Sequence, residues 1–199
     1  ILDLFLLQGM GIMRMEIHNY PSWSISVEFW MYLVFALIFY WIRYRVLRIL
    51  VSVAIVVACI VHFVDLWAVA PLAERTLDTR GLPRGMLSFF QGVLVFYAWN
   101  ALPGAFRGRI TSGLGTHALS VAQIAAVLAT GWVVGAQADL GDWQLLTPTI
   151  FALLVLTLIS DKGVIAAALS TAPMQWLGMH SYAIYLTHVS VQTLLDWVG

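Results

Sequence analysis

The chain has 199 residues, of which 61% are hydrophobic and only 10% are charged. Its mean hydropathy is +0.89, whereas a soluble domain of this length carries charges on about a quarter of its residues. Ten Lys and Arg residues balance ten Asp and Glu residues, so the composition predicts a membrane protein without a basic surface, which argues against nucleic-acid partners.

Apolar segments of about 20 residues are the unit to count, because a helix rises about 1.5 Å per residue and the hydrocarbon core is about 30 Å thick. Residues 1 to 13 predict a partial helix. Full spans are predicted near residues 23–42, 47–64, 85–101, 117–135, 144–160 and 180–198. The predicted fold is therefore all-α, a polytopic membrane helical bundle with about six full transmembrane helices plus one partial helix at the N-terminus.

The connections between these spans are short, except for residues 65–84, whose acids and arginines predict a loop outside the membrane. Lys and Arg are enriched in cytoplasmic loops. Their distribution favours a cytoplasmic position for residues 43–48, which places the start of the 23–42 helix on the opposite side. Residues 1–199 show no internal repeat or low-complexity tract, so they are predicted to belong to one domain.

The segment PSWSISVEFW, residues 21–30, places Glu28 near the top of a hydrophobic helix. An acid costs about 3 kcal/mol at the bilayer centre and less near the interface, so it usually has a partner or a task. Ser24 and Glu28 are four residues apart and share one helix face. Ile25 replaces the Ser or Thr of a capping box. A functional polar face and a structural helix cap both remain open.

A second polar stripe lies in LGMHSYAIYLTH, residues 177–188, where Ser181, Tyr185 and His188 share one helix face. Such a stripe must face other helices or a water-filled cavity, because lipid offers no hydrogen bonds. His188 is suited either to proton transfer or to a hydrogen bond between helices. The stripe alone does not separate these two roles.

Arg84 opens the span near residues 85–101, where it is suited either to pairing with an anionic group or to reaching the lipid headgroups. Cys59 is the only cysteine, and the histidines show no ligand spacing for zinc. The sequence predicts no metal site. It also lacks the motifs of serine hydrolases and of nucleotide-driven enzymes.

Together these segments resemble one family. PSWSISVEFWMYLVF is similar to the Trp-Ser-x-Ser-x-Glu segment of the membrane-bound acyltransferase 3 family, and WLGMHSYAIYLTH is similar to its last-helix pattern of Gly, Ser-Tyr, Tyr-Leu and His. PRGMLSFFQGVL resembles the intermediate helix, which usually starts with Arg. The resemblance covers essentially all 199 residues.

The resemblance implies an integral membrane O-acyltransferase of the bacterial inner membrane. It implies transfer of an acyl group, in the first instance acetyl, from acyl-CoA (acetyl-CoA) as donor substrate to a hydroxyl of a cell-envelope carbohydrate or glycolipid, with no bound cofactor. Candidate catalytic residues are Glu28, Ser24 and His188. Candidate substrate-binding residues are Trp23, Ser26, Arg84, Ser181, Tyr182 and Tyr185.

One departure from the family bears on activity. Its members carry, near the N-terminus, a histidine proposed as the catalytic base and then an Arg-x-x-Arg segment, and this chain begins after both. Residues 1–199 are therefore expected to be the C-terminal part of a single acyltransferase 3-like domain, inactive alone. Arg45 and Arg48 have the same spacing but follow the Trp-Ser-x-Ser-x-Glu segment, so that role is not transferred to them.

Two other classes of protein explain part of the pattern. A transporter or a glycan-binding membrane protein would use the same polar groups without chemistry, although transporters often show inverted repeats and broken helices. Pro148 is the only proline well inside a predicted span. A purely structural membrane subunit explains the hydrophobicity but leaves both polar clusters without a role.

Overall fold

The computed structural model describes residues 6–7, 22–69, 77–136 and 146–198. Within these ranges all regular secondary structure is helical, as the sequence predicts. The eight helices are α1 (Ser22–Trp41), α2 (Arg45–Val69), α3 (Leu77–Ala101), α4 (Gly104–Ile110), α5 (Leu114–Gly135), α6 (Leu146–Leu158), α7 (Val164–Leu169) and α8 (Ala172–Val198).

Each predicted full span corresponds to a helix, but fewer helices are long and apolar enough to cross a membrane. In the described ranges α1, α2 and α5 meet that condition, and α3 with α4 makes a fourth if this pair, bent by 105°, is one broken span. Helix α6 has only 13 residues, and the polar stripe of α8 lowers its hydropathy. The helical membrane bundle is confirmed, with three to four such spans against the six predicted.

The helix boundaries differ most at α3. It begins at Leu77, within the predicted loop 65–84, so Pro83 lies inside the helix. Pro148 is the third residue of α6, in the first turn, where a missing backbone N–H costs little.

Of the predicted partial helix at residues 1–13, only Leu6 and Leu7 are among the described residues, and Leu6 has a positive φ of 52°.

Helix α3 is the centre of the bundle. It packs against α1, α2 and α6, while α5 packs against α4, α6 and α7. Leu87 and Phe90 of α3 are 1% and 0% exposed, and Leu87 forms a cluster with Cys59 and Phe63 of α2. Most other large apolar side chains face outward, as expected of helices whose surroundings are lipid.

Arg45 and Arg48 connect the ends of three helices. The Arg48 guanidinium donates to the carbonyl oxygens of Ile42 (2.6 Å) and Phe39 (2.9 Å) at the end of α1. Arg45 donates to the Tyr97 carbonyl oxygen of α3 at 3.5 Å. Cations are favourable at helix C-termini, where carbonyl groups lack intrahelical partners. These contacts give both arginines a structural role in fixing α2 against α1 and α3.

Gln123 of α5 holds the connection between α6 and α7. Its amide nitrogen donates to the carbonyl oxygens of Thr157 (3.0 Å) and Lys162 (2.6 Å), and its amide oxygen accepts from the Ile165 backbone N–H at 3.1 Å. The side chain is 0% exposed. Gly163 adopts a φ of 99° and lies so close that an added Cβ would overlap the Gln123 amide.

Helices α1 and α3 approach each other most closely at Gly85. A Cβ added there would overlap the Val27 side chain and would lie 3.0 Å from the sulfur of Met31. Val27 is 3% exposed and its β-branched side chain has little rotamer freedom in a helix. The absence of a side chain at Gly85 therefore allows the two helices to place their polar residues side by side.

We expect Gly85→Ala to lower the free energy of unfolding by about 1–3 kcal/mol, because overpacking at this contact must displace α1 or distort Val27. Gly92→Ala on the same helix is the matched control, since its added Cβ meets nothing within 4 Å and alanine favours the helix. Thermal denaturation of both variants in detergent makes the comparison. Equal melting temperatures for the two variants would contradict the close approach.

Candidate active site

A cavity of about 380 Å³ lies between α1 and α3. Trp23, Ser24 and Glu28 line it from α1, and Arg84 and Ser88 line it from α3. Glu28 and Arg84 are both half-buried. The structure thus brings the Trp-Ser-x-Ser-x-Glu segment and the Arg84 region of α3 together around one space lined by a carboxylate, a guanidinium and hydroxyl groups.

The Glu28 carboxylate is held within its own helix. Tyr32, four residues later, donates its hydroxyl to Oε1 of Glu28 at 2.6 Å. Side chains in a helix lean toward its N-terminus, which directs the Tyr32 hydroxyl back over the preceding turn. The Tyr32 ring contacts Phe89 of α3 edge-on, with 5.9 Å between the ring centres, and it lines the same cavity.

Ser26 points away from this cavity. It is 0% exposed, and its hydroxyl donates to the backbone carbonyl of Leu6. The indole N–H of Trp30 donates to the same oxygen at 2.8 Å. These two bonds attach the segment at Leu6 to α1, so the structure gives Ser26 a structural contact, and its substrate contact stays a prediction.

The third predicted cluster, on α8, does not line this cavity. Tyr182 and Ser181 are exposed, and among the described residues neither belongs to the cavity lining. Ser181 donates to the carbonyl oxygen of Gly178 at 2.8 Å, one turn earlier in its own helix.

His188 and Tyr185 are not among the residues that line the cavity. Nδ1 of His188 contacts the Tyr185 carbonyl oxygen, and the two rings lie 5.5 Å apart. Because a carbonyl only accepts hydrogen bonds, this contact places the proton on Nδ1 and leaves the Nε2 lone pair as the acceptor. The contact does not bring His188 to Glu28.

The chain as a whole matches a family model. The model of the acyltransferase 3 family, described as an acyltransferase domain, matches residues 2–196. The chain belongs to the acyltransferase 3 family. No curated protein and no solved structure matched the chain. The resemblance stated from the sequence is thereby confirmed, and with the apolar helices it supports a membrane acyltransferase.

Tyr32, Ser88 and Gly85 also line this cavity, and the sequence motifs did not predict them. A signal for Tyr32 was present, because it follows Glu28 by four residues and so shares its helix face. Ser88 follows Arg84 by the same spacing. Gly85 gave no such signal, since its role depends on the register between α1 and α3.

The cavity holds no cluster of metal ligands. Among the described residues, no group of three or more His, Cys, Asp or Glu side chains is arranged to hold a metal ion. The groups that line the cavity include a carboxylate, a guanidinium, hydroxyls and an indole.

Proposed function

We propose that this chain forms part of an integral membrane O-acyltransferase that moves an acyl group, in the first instance acetyl, from acyl-CoA to a hydroxyl of a cell-envelope carbohydrate or glycolipid in a bacterial inner membrane. The observation that carries the proposal is the cavity between α1 and α3, which Glu28 and Arg84 both line in a chain of this family.

The reaction requires three tasks. A base removes the proton of the acceptor hydroxyl, the hydroxyl oxygen attacks the thioester carbonyl carbon, and donors stabilise the negative charge on the carbonyl oxygen. Collapse of this intermediate breaks the carbon–sulfur bond, and the CoA thiolate leaves and takes up a proton. In the cavity, Glu28 is proposed to support the base of the first task, and Arg84 is proposed as a donor for the third.

Glu28 is proposed to orient and charge-stabilise an imidazole base, as a carboxylate does in a catalytic triad. Ser24, one turn before it, lines the same cavity and is proposed to support the carboxylate. The base is either a family histidine that residues 1–199 do not include or His188, whose Nε2 is available as an acceptor. His188 would have to approach the cavity through a movement of α8.

The remaining candidates are proposed to bind substrates. Arg84 is suited to the oxyanion, and equally to a carboxylate or phosphate group, because its guanidinium forms two parallel hydrogen bonds. The Trp23 ring offers an apolar face for a sugar ring or an acyl chain. Binding roles for Ser26, Ser181, Tyr182 and Tyr185 are proposed on the family resemblance.

The experiment measures transfer of radiolabel from acetyl-CoA to cell-envelope glycan in membranes that contain the protein. Two forms are compared, the 199-residue chain and a longer chain with the family's upstream helices restored. We expect transfer by the longer form and none by the 199-residue chain. Transfer by the 199-residue chain would identify His188 as the first candidate for the base.

An absence of transfer by both forms, with acetyl, propionyl and longer-chain acyl-CoA donors, would contradict the proposed function. Membranes without the protein provide the background, and the amount of each form is matched by immunoblotting. Uptake of labelled glycan into vesicles in that case would favour a transporter that uses the same polar groups.

A further inference from the structure

Tyr32 binds the Glu28 carboxylate, and neither the sequence motifs nor the family match assigns Tyr32 a role. Its hydroxyl lies 2.6 Å from Oε1 of Glu28, a length typical of a hydroxyl that donates to a charged oxygen. Such bonds are about twice as strong as those between neutral groups.

The Tyr32 ring is itself held in place. It packs edge-on against Phe89 of α3, and Phe89 also contacts Phe35, one turn further along α1, at 5.3 Å. The hydroxyl therefore reaches Glu28 from a ring that is fixed between the two helices that form the cavity. A freely rotating donor would lose more conformational entropy when it makes the same bond.

The contact leaves most of the Glu28 carboxylate available as an acceptor. The Tyr32 hydroxyl uses one acceptor position of Oε1, whereas an ionised carboxylate offers about four on its two oxygens. The second oxygen, Oε2, can therefore act on a group in the cavity.

We propose that Tyr32 is a positioning residue: it holds the Glu28 carboxylate in one orientation toward the cavity, and acyl transfer depends on that orientation. The effect of Tyr32 on acyl transfer rests on the proposed function, whereas its effect on the orientation of Glu28 does not.

The test uses Tyr32→Phe, which removes one oxygen and keeps the ring contact with Phe89. Tyr40→Phe, which removes a hydroxyl from an exposed tyrosine two turns further along α1, is the matched control. In the first measurement, the infrared difference between the protein and Glu28→Gln identifies the carboxylate band of Glu28. We expect this band to shift in Tyr32→Phe and to stay unchanged in Tyr40→Phe.

The second measurement determines kcat and KM for acyl transfer by the form that is active. We expect Tyr32→Phe to lower kcat roughly 10-fold or more, with KM for both substrates within about twofold, because the lost bond is to a charged group that acts in the transition state. A purely structural bond would lower the melting temperature and leave kcat per folded protein unchanged.

The outcomes separate this inference from the proposed function. An unmoved carboxylate band overturns the positioning role whether or not the protein transfers label. A shifted band with an unchanged kcat shows a bond that the reaction does not use, which also overturns it. If the wild-type protein transfers no label, the proposed function fails, and the band alone then decides whether Tyr32 fixes Glu28.

Discussion

Replacing Glu28 with glutamine should lower acyl transfer about 10²–10⁴-fold, the range that acid–base catalysis contributes. Glutamine keeps the length of the side chain and an oxygen that accepts the Tyr32 hydroxyl. The variant therefore removes the charge and leaves the shape of the cavity between α1 and α3. The measurement is kcat/KM for transfer from labelled acyl-CoA in membranes with matched amounts of protein.

The control for this substitution is Asp161→Asn. Asp161 is an exposed acid in the connection between α6 and α7, and its φ of 55° lies in the region that asparagine also tolerates. Transfer by this variant should stay within about twofold of wild type, as for surface changes away from a site. Equal activity of Glu28→Gln and Asp161→Asn would remove Glu28 from the mechanism.

The physical reason to expect a large effect is the position of Glu28. Acids within membrane-spanning helices are costly and are usually retained for a task. A structural cap would need backbone N–H groups at the helix start, but Glu28 is the seventh residue of α1 and accepts from Tyr32 instead. Its carboxylate faces a cavity shared with Arg84, which favours the functional interpretation of the polar face.

Helix positions were predictable from the sequence because lipid requires long apolar segments. The six predicted full spans all correspond to helices, and the i, i+4 rule placed Ser24 and Glu28 on the cavity face. The start of α3 was wrong by eight residues, since Leu77 begins the helix and not residue 85. Residues 77–84 are rich in charged residues, glycine and proline, which is typical of a loop. In the structure they form the first two turns of α3.

The meeting of Glu28 with Arg84 was predictable only through family resemblance. Periodicity places residues on a face of one helix, but it does not give the register between two helices. That register follows from the missing side chain of Gly85, which lets Val27 and Met31 approach α3. Likewise Arg45 and Arg48 share a spacing with the family's Arg-x-x-Arg, yet they bind carbonyl oxygens at helix ends, which spacing alone does not reveal.

Gln123→Leu should lower the free energy of unfolding by about 2–5 kcal/mol, because it leaves up to three backbone groups without their partners at about 1–3 kcal/mol each. The groups are the carbonyl oxygens of Thr157 and Lys162 and the N–H of Ile165. Leucine has a similar volume, so the variant tests hydrogen bonding rather than packing. Nothing in the local sequence signals this role, since the partners lie more than 30 residues away along the chain.

Two further variants identify the cause of that loss. Gln192→Leu replaces an exposed glutamine of α8 and should change the melting temperature little. Gln123→Glu keeps an acceptor for the Ile165 N–H but loses both donations from the amide nitrogen, so it should destabilise the protein about as strongly as leucine. If Gln123→Leu melts at the wild-type temperature, the α6–α7 connection does not depend on these bonds. A loss confined to Gln123→Leu, with Gln123→Glu unaffected, would instead assign the stability to the Ile165 contact alone.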